Sequence, residues 1–352
     1  MLKRLTVGYV VLWLMVSTAL AGPAPLSRIA FGSCAHQGMT RDSAQAIWKP
    51  LVESRPDLFL FLGDNIYADT YDATLKWQKY QQLAALPGYR ALQRTCPILA
   101  TWDDHDYGLN DSGAEFREKV SSQKLFLDFF GMPESSARRR REGVYHAEVF
   151  GPPGRRVQII LMDTRYFRGP LLRNPDKGPD AGKYIANTDR SVTMLGPAQW
   201  AWLSDQLSRP AELRLLISSI QVLAQDHGWE RWMTLPHERT KLFNLIRSTG
   251  AEGVLILSGD RHVAELSCMK NGPGGYPLYD LTSSGLVMSY PIEGEPNRWR
   301  VGSMYTPNNF GLVQVDWTRP DPRVTLSIHG VSGKPVLEES FPLSRLSRPR
   351  RK

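Results

Sequence analysis

The sequence is poor in cysteine and, after its first residues, in long apolar runs. Three cysteines in 352 residues, Cys34, Cys96 and Cys268, are too few for a small disulfide-stapled scaffold. Their odd number leaves at least one thiol unpaired in an oxidising compartment. Beyond the first 21 residues, no stretch is long and apolar enough to span a bilayer. The chain also has no internal repeat and no low-complexity linker, so we expect one globular unit.

The body of the chain has almost no net charge. The formal net charge is +8, but Lys3, Arg4 and five basic residues within 345–352 leave only about +1 for the remainder. We predict a basic tail over 344–352, either a solvated end or a segment that contacts anionic surfaces. No nucleic-acid-binding motif accompanies this charge, so no nucleic-acid partner is predicted.

The first 21 residues have the pattern of a signal peptide. Lys3 and Arg4 precede a short apolar run over 7–16, and the small-x-small sequence Ala19-Leu20-Ala21 follows it. An uncleaved anchor is the alternative, but the run is short for a bilayer. We therefore expect cleavage after Ala21, export to the periplasm or the extracellular space, and a single domain over 22–343 with no membrane span.

Hydrophobic patterning predicts an α/β domain with two sheets. Short apolar runs bounded by turn residues indicate strands, and apolar residues at helical spacing indicate helices. The predicted strands are 28–33, 57–62, 97–102, 144–150, 155–162, 213–218, 254–257, 278–281, 311–317, 323–328 and 336–341. The predicted helices are 42–54, 73–94, 112–130, 197–207 and 236–248, and 170–195 is predicted to be a long loop.

Polar clusters follow several of the predicted strands. Asp64, the segment 103–106 and the segment 260–262 each come directly after an apolar run, and Cys34 follows the first strand. In α/β proteins binding sites collect at this edge of the sheet. Carboxylates, imidazoles, a thiol and the phenol of Tyr67 together form a set of metal ligands. Acids clustered without a cation would raise each other's pKa, so the sequence predicts a metal site.

The motifs resemble those of the calcineurin-like metallophosphoesterases, and more closely those of the PhoD-like (alkaline phosphatase D) family. Each piece is short, but all occur in the expected order. The matching stretches are Phe31-Gly-Ser-Cys34, Phe61-Leu-Gly-Asp64-Asn-Ile-Tyr67, Thr101-Trp-Asp-Asp104-His105-Asp106, Asp163-Thr-Arg165, Leu195-Gly-Pro-Ala-Gln-Trp-Ala-Trp-Leu203, Ser218-Ser-Ile-Gln221 and Ser258-Gly-Asp260-Arg-His262.

This resemblance implies a calcineurin-like sandwich, two sheets flanked by helices, with a dinuclear metal site. Asp64 would bridge the two ions. One ion, ferric iron, would take three further ligands: Cys34, Tyr67 and His262. The other ion, Ca²⁺ or else Mn²⁺, Mg²⁺ or Zn²⁺, would be held by Asp104 and Asp260.

The resemblance also implies hydrolysis of phosphate monoesters or diesters, including phospholipids or phosphodiester polymers, by a metal-activated water. His105 would act as general acid or phosphate contact, oriented by Asp106. Asn65 and Arg261 would contact phosphate oxygens. The alternative function is a catalytically silent, exported protein that binds metal or a surface. The presence of both His105 and Asp106 argues against it.

Several residues keep two interpretations at this stage. Cys34 could be a ligand, a buried thiol, or the disulfide partner of Cys96 or Cys268. Tyr67 could be a ligand or a core aromatic. Three further residues are left undecided as ligands: His36, Asn110 and Asp111. One pair could be an internal ion pair or could bind phosphate: Asp163 and Arg165.

Overall fold

The computed structural model describes residues 24–176, 178 and 182–349. The predicted signal peptide and the last three residues of the predicted tail lie outside these ranges. None of the described helices has the length and apolar character needed to cross a membrane.

Fifteen strands and eight α-helices make up the described chain. The strands are β1 (Arg28–Gly32), β2 (Leu58–Leu62), β3 (Ile98–Thr101), β4 (His146–Phe150), β5 (Val157–Leu161), β6 (Leu172–Arg173), β7 (Tyr184–Ile185), β8 (Leu213–Ser218), β9 (Val254–Ser258), β10 (Ala264–Met269), β11 (Leu278–Ser283), β12 (Arg300–Tyr305), β13 (Asn309–Asp316), β14 (Arg323–Gly330) and β15 (Pro335–Pro342). The helices are α1 (Asp42–Gln45), α2 (Trp48–Glu53), α3 (Ala73–Ala85), α4 (Pro87–Thr95), α5 (Asp104–Tyr107), α6 (Lys119–Phe129), α7 (Gly196–Leu207) and α8 (Pro236–Thr249).

Two sheets carry the fold, as the sequence predicted. One has the strand order β15-β14-β13-β1-β2-β3, and the other has the order β12-β10-β11-β9-β8-β5-β4. Strands β1, β2 and β3 are parallel to one another, as are β5, β8, β9 and β11. Strands β6 and β7 form a separate hairpin inside the predicted loop 170–195.

The two faces of β2 explain its uninterrupted apolar sequence. Leu60 belongs to a core that it shares with Leu215 of the other sheet. Phe59 and Phe61 belong to a second core, which they share with Tyr80 of helix α3. Because successive side chains of a strand point to opposite faces, a strand buried on both sides is apolar at every position.

Several elements differ from the prediction. The predicted helix 73–94 is two helices, because Pro87 has no N–H to donate and begins α4. The predicted helix 112–130 is helical only over Lys119–Phe129. Strands β10 and β12 were not predicted, since their sequences, Ala264–Met269 and Arg300–Tyr305, mix polar and apolar residues.

The first residues of the predicted tail lie against the body. Leu346 is buried, and its carbonyl accepts a hydrogen bond of 2.8 Å from Gly253 N–H. Arg348 N–H donates to the Glu252 carboxylate at 2.9 Å. Residues 343–346 form a short 3₁₀ turn.

Candidate metal centre

Strand ends from both sheets meet at one place. Cys34 lies two residues beyond β1, Asp64 two beyond β2, and Asp104 three beyond β3. Asp260 lies two residues beyond β9 of the other sheet. Three of these four strands belong to one parallel set, so their carboxyl ends share an edge. The sequence predicted this convergence, and the structure brings the four side chains into one connected cluster.

The backbone at these strand ends is left-handed. The φ angles are 61° at Cys34, 48° at Asp64, 70° at Asp260 and 56° at His262. Such angles cost a non-glycine residue roughly 1–3 kcal/mol. Because strain of this kind persists where the surroundings enforce it, its concentration on the predicted ligands supports a functional site.

A thiol, a carboxylate and a phenol converge on one side of the centre. Cys34 Sγ and Tyr67 Oη each lie 3.4 Å from Asp64 Oδ2. Ser284 Oγ lies 3.2 Å from Cys34 Sγ. All three cysteines are free thiols, so Cys34 is not a disulfide partner. Burial raises the pKa of the Cys34 thiol to about 11, so ionising it needs a nearby cation.

His262 completes this side with a fixed tautomer. Its Nδ1 lies 3.0 Å from the Met288 carbonyl oxygen, which can only accept a hydrogen bond. The proton of the neutral ring therefore sits on Nδ1, and Nε2 keeps its lone pair. A metal-binding histidine commonly donates its other nitrogen to a carbonyl in this way.

The other side of the centre is all oxygen. Single oxygens of Asp103, Asp104 and Asp260 lie within 4.8 Å of one another, and a second group of that span joins Asp64, Asp104 and a His105 ring nitrogen. Asp104 belongs to both groups, and Asp64, which also contacts Cys34 and Tyr67, links this side to the first. Asp103 lies in the segment 103–106 that the sequence singled out, although no role was predicted for it.

The electrostatics of the site fit bound cations. Burial raises the pKa of Asp64 and Asp260 well above the usual value for aspartate, and neighbouring acids raise both further. Burial would raise the pKa of Asp104 as well, but Arg165 and His105 hold it below its usual value. Two buried acceptors, Asn65 Oδ1 and Asp103 Oδ2, have no hydrogen-bond partner among the described residues. A cation satisfies such groups.

Asn65 does not fit its expected role as a phosphate contact. Its side chain is fully buried, and its Nδ2 donates to the Thr101 carbonyl at 2.9 Å and to the Asp106 carboxylate. The unpartnered atom is Oδ1, an acceptor, which cannot donate to a phosphate oxygen. Asn65 therefore braces Asp106, and the one atom it leaves unpartnered is an acceptor oxygen.

Asp106 does not orient His105, contrary to the sequence expectation. Its carboxylate accepts from the backbone N–H of Asp103 at 2.7 Å and from Asn65. His105 Nδ1 instead lies 2.8 Å from Asp69 Oδ2. The reason is geometric: consecutive residues of helix α5 point in different directions, so the side chain of Asp106 turns inward under the helix.

The centre opens into a pocket of about 280 Å³. Four of the undecided or substrate-directed residues line it: His36, Asn110, Asp111 and Arg261. The His36 ring stacks on Tyr67 with centroids 4.6 Å apart. Arg261 is buried, pairs with Glu295, and lies over the Trp229 ring at 5.5 Å.

Asp111 ties the β6–β7 hairpin to the centre. Its backbone N–H donates to Asp104 Oδ2 at 2.6 Å. Its side chain accepts from Lys183 Nζ and, at 2.7 Å, from Tyr184 Oη. With these partners engaged, Asp111 acts as a link between hairpin and centre.

Arg165 is internal, which answers the question about the Asp163–Arg165 pair. Its guanidinium is fully buried and pairs with Asp103 and Glu230 at 2.5 and 2.6 Å. Asp163 accepts from the backbone N–H of Arg165 at 2.9 Å. Neither side chain lines the pocket, so both organise the loops beneath it.

Several residues in or beside the pocket were not predicted. Asp69, which contacts the pocket residue His105, lies five residues after Asp64 in the same loop, and acid content in that loop was the available signal. Lys183, Trp229, Glu230 and Tyr290 also line the pocket, but they come from segments that carry no recognisable motif.

Comparison with known proteins agrees with this architecture. A family model described as PhoD-like phosphatase matches residues 29–284. The alkaline phosphatase D of Bacillus subtilis (strain 168) is 23% identical over 288 residues, which cover 68% of this chain. The chain spans only 46% of the length of that curated relative.

Solved structures show the same fold at low sequence identity. A structure of PhoD is 16% identical with a TM-score of 0.65, covering 91% of this chain and 73% of that one. A purple acid phosphatase from yellow lupin (Lupinus luteus) seeds is 13% identical with a TM-score of 0.58, covering 92% of this chain and 55% of that one. The predicted metallophosphatase sandwich is thereby confirmed as the fold.

Proposed function

The chain belongs to the PhoD-like phosphatase family, and on that premise we propose that it is a metal-dependent hydrolase of phosphate esters. One observation carries the proposal. Cys34, Asp64 and Tyr67 converge on one side of a pocket, and Asp104 and Asp260 on the other. This arrangement of soft and hard donors around a shared carboxylate suits two cations of different character.

The residues present fit a metal pair. Asp64 would bridge the ions, and Asp104 and Asp260 would hold the all-oxygen side. The other side has three candidate ligands: Cys34, Tyr67 and His262. When bound, the ions supply Lewis-acid polarisation of the phosphoryl group and lower the pKa of a coordinated water.

The protein's own cationic groups act on the ester. Burial lowers the pKa of His105, and the carboxylates of Asp104, Asp64 and Asp69 raise it. With Asp64 and Asp104 engaged by cations, Asp69 is the carboxylate left to favour a charged ring, which could donate to an ester oxygen. Arg261, on the pocket wall, supplies planar donors that match phosphate oxygens.

Hydrolysis of model esters tests the function. The protein with its metals should cleave bis-p-nitrophenyl phosphate, p-nitrophenyl phosphate, or both. Asp64→Asn keeps a residue type that tolerates the left-handed turn, and it should lower kcat by about 10³-fold or more, beyond the loss of a single stabilising donor. The exposed Asp205→Asn is the matched control and should retain full activity. Normal turnover by the Asp64 variant would overturn the two-metal site.

The proposed metals are ferric iron beside Cys34 and Tyr67 and Ca²⁺ beside Asp104 and Asp260. A thiolate or phenolate bound to ferric iron gives a coloured charge-transfer band. Elemental analysis with a visible spectrum therefore tests this assignment. A colourless, active protein that contains zinc alone would contradict iron and leave the hydrolase standing.

The proposed substrates are phosphodiesters, including phospholipids or phosphodiester polymers, and the proposed place of action is outside the cytoplasm. Both rest on the resemblance and on the signal-peptide pattern of residues 1–21. Expression in a bacterial host, followed by cell fractionation and N-terminal sequencing, tests export. A mature chain that begins at Gly22 is the expected result, and an intact cytoplasmic chain would contradict it.

A further inference from the structure

Two large aromatic side chains in the wall of the pocket are left exposed by the fold. Trp229 and Tyr290 line the pocket and keep 45% and 43% of their surface in contact with solvent. Among the described residues, they are the two large hydrophobic side chains that are both this exposed and part of the pocket. Covering such aromatic surface is favourable, so the wall offers binding free energy to a ligand.

Each ring lies beside a residue that the sequence assigned to the phosphate or to the metals. The guanidinium carbon of Arg261 lies 5.5 Å from the centroid of the Trp229 ring. The rings of His262 and Tyr290 have centroids 4.4 Å apart, and Tyr290 N–H donates to the His262 carbonyl at 3.1 Å. Because Arg261 and His262 are consecutive, a group bonded to a phosphate that they face starts within reach of both aromatic rings.

The segment that carries Tyr290 extends this apolar wall. Every second residue over 288–292 lines the pocket: Met288, Tyr290 and Ile292. Ile292 N–H donates to the Tyr290 carbonyl at 2.9 Å, which fixes the end of the segment. Charged side chains line other parts of the pocket, Lys183 and Asp111 among them. A pocket with a few placed polar groups and an apolar wall is typical of a site for a partly apolar ligand.

We propose that Trp229 and Tyr290 are specificity-determining residues, which bind a flat aromatic group carried by the substrate phosphate. The proposal rests on the proposed ester hydrolysis and names the class of ester. Aromatic rings attract one another, stacked with an offset or edge to face, by more than the burial of their area accounts for. A ring also has few bonds to immobilise, whereas a flexible chain loses conformational freedom along its length. A small polar alcohol would leave the wall uncovered.

Phosphonates test this binding without turnover, since their carbon–phosphorus bond is not an ester bond. Phenyl-, cyclohexyl- and methylphosphonate are titrated calorimetrically into the metal-loaded protein, at a pH where all three are dianions. Phenylphosphonate should bind about tenfold more tightly than methylphosphonate. It should also bind at least about threefold more tightly than cyclohexylphosphonate, which has a ring of similar size without a flat π face.

The ratio of the phenyl to the methyl affinity separates contact with the ring from mere support of the site. Trp229→Ala and Tyr290→Ala should each lower this ratio, and the double variant should bring it close to one. Trp229→Phe keeps an aromatic face and should keep most of the ratio. A substitution that only disturbed Arg261 or His262 would weaken both ligands by the same factor.

The matched control is Tyr71→Ala. Tyr71 is a tyrosine of similar exposure, 46%, that does not line this pocket. Its removal should leave the ratio at the native value. The number of bound metal equivalents, measured by elemental analysis, should be the same in every variant as in the native protein.

Three results would overturn the proposal: equal affinities for phenyl- and methylphosphonate, a cyclohexyl ligand that binds as tightly as the phenyl ligand, or a ratio that survives in the double variant. A native protein that hydrolyses no phosphate ester would refute the proposed function. The phosphonate affinities would then still decide whether the two rings bind an aromatic group.

Discussion

At the scale of single residues, backbone groups set the chemistry of the pocket histidines. His262 faces a carbonyl through Nδ1, so its Nε2 lone pair is free. His36 Nδ1 instead accepts a hydrogen bond of 3.1 Å from Gly38 N–H. Burial lowers the pKa of His36, and the neutral ring must then carry its proton on Nε2. The two rings line the same pocket, one as an acceptor and the other as a donor.

This difference predicts that His36, left undecided by the sequence, donates to substrate and does not bind metal. His36→Phe keeps the aromatic surface that stacks on Tyr67 and removes the donor. The number of bound metal equivalents should be unchanged, and KM should rise by up to about tenfold, the size of one neutral hydrogen bond. Elemental analysis and steady-state kinetics check both. Loss of one metal equivalent would show that His36 is a ligand.

At this scale, the sequence does not predict contacts that depend on the direction in which a side chain points. Cys34, Asp64, Asp104 and Asp260 could be predicted because each follows a strand whose end is readable from the sequence. The partner of His105 could not, because Asp69 is 36 positions away and only the left-handed turn at Asp69 brings it back. The tautomers of His36 and His262 likewise depend on backbone atoms that no motif encodes.

At the scale of elements, Lys76 links the helices α3, α5 and α6 by hydrogen bonds on the outer side of the six-stranded sheet. It lies on α3, and its Nζ donates at 2.7 Å to both the Tyr107 carbonyl of α5 and Ser122 Oγ of α6. The side chain is 2% exposed, and no ion pair accompanies it among the described residues. Burial therefore lowers the pKa of Lys76 from 10.5 to about 8.

This shift predicts a pH dependence of stability. Between about pH 8 and 10.5 the unfolded chain binds a proton at Lys76 that the folded chain lacks. The contribution of Lys76 to the free energy of unfolding therefore rises with pH across that window, by up to about 3 kcal/mol. Lys76→Met should lose this rise. Urea unfolding at several pH values measures the difference between variant and native protein.

The matched control is Lys49→Met, since the Lys49 side chain is 81% exposed and reaches water in both states. Its profile should run parallel to that of the native protein. If the pH profile of Lys76→Met also ran parallel to that of the native protein, the burial of Lys76 would not be the cause of the pH dependence.

Strands could be predicted from the sequence where one face or both faces of the strand are buried. The uninterrupted apolar runs of β2, β8 and β9 follow from burial on both faces. Strand β12 was missed because it lies at the sheet edge with exposed residues, which leaves little pattern. The β6–β7 hairpin was read as loop because each strand has two residues.

At the scale of the whole molecule, the proposed metals would join two sheets. Cys34, Asp64 and Asp104 come from one sheet, and Asp260 and His262 from the other. Binding to the folded state alone stabilises it by about 2.7 kcal/mol at a free concentration of 100 times Kd. Removing the ions should therefore loosen both sheets at once.

Chelation tests this link without any substrate. Treatment with EDTA should lower Tm by several degrees, and readdition of metal should restore it. Asp64→Asn, which lacks the proposed bridge, should show a much smaller shift on chelation. A Tm that is insensitive to chelator in the metal-loaded native protein would contradict metal ions that hold the two sheets together.

The left-handed turn at Cys34 also bears on which ligand atoms, and therefore which metal ions, such a centre can accommodate. Aspartate adopts this conformation more readily than cysteine does, so the scaffold already suits an oxygen donor where it now presents sulfur. Cys34→Asp would relax the turn and leave a ligand set of oxygen and nitrogen alone, which favours harder ions. A single exchange at this strained turn would then be enough to convert the proposed thiolate–iron centre into one with oxygen and nitrogen ligands alone, with the surrounding strands left in place.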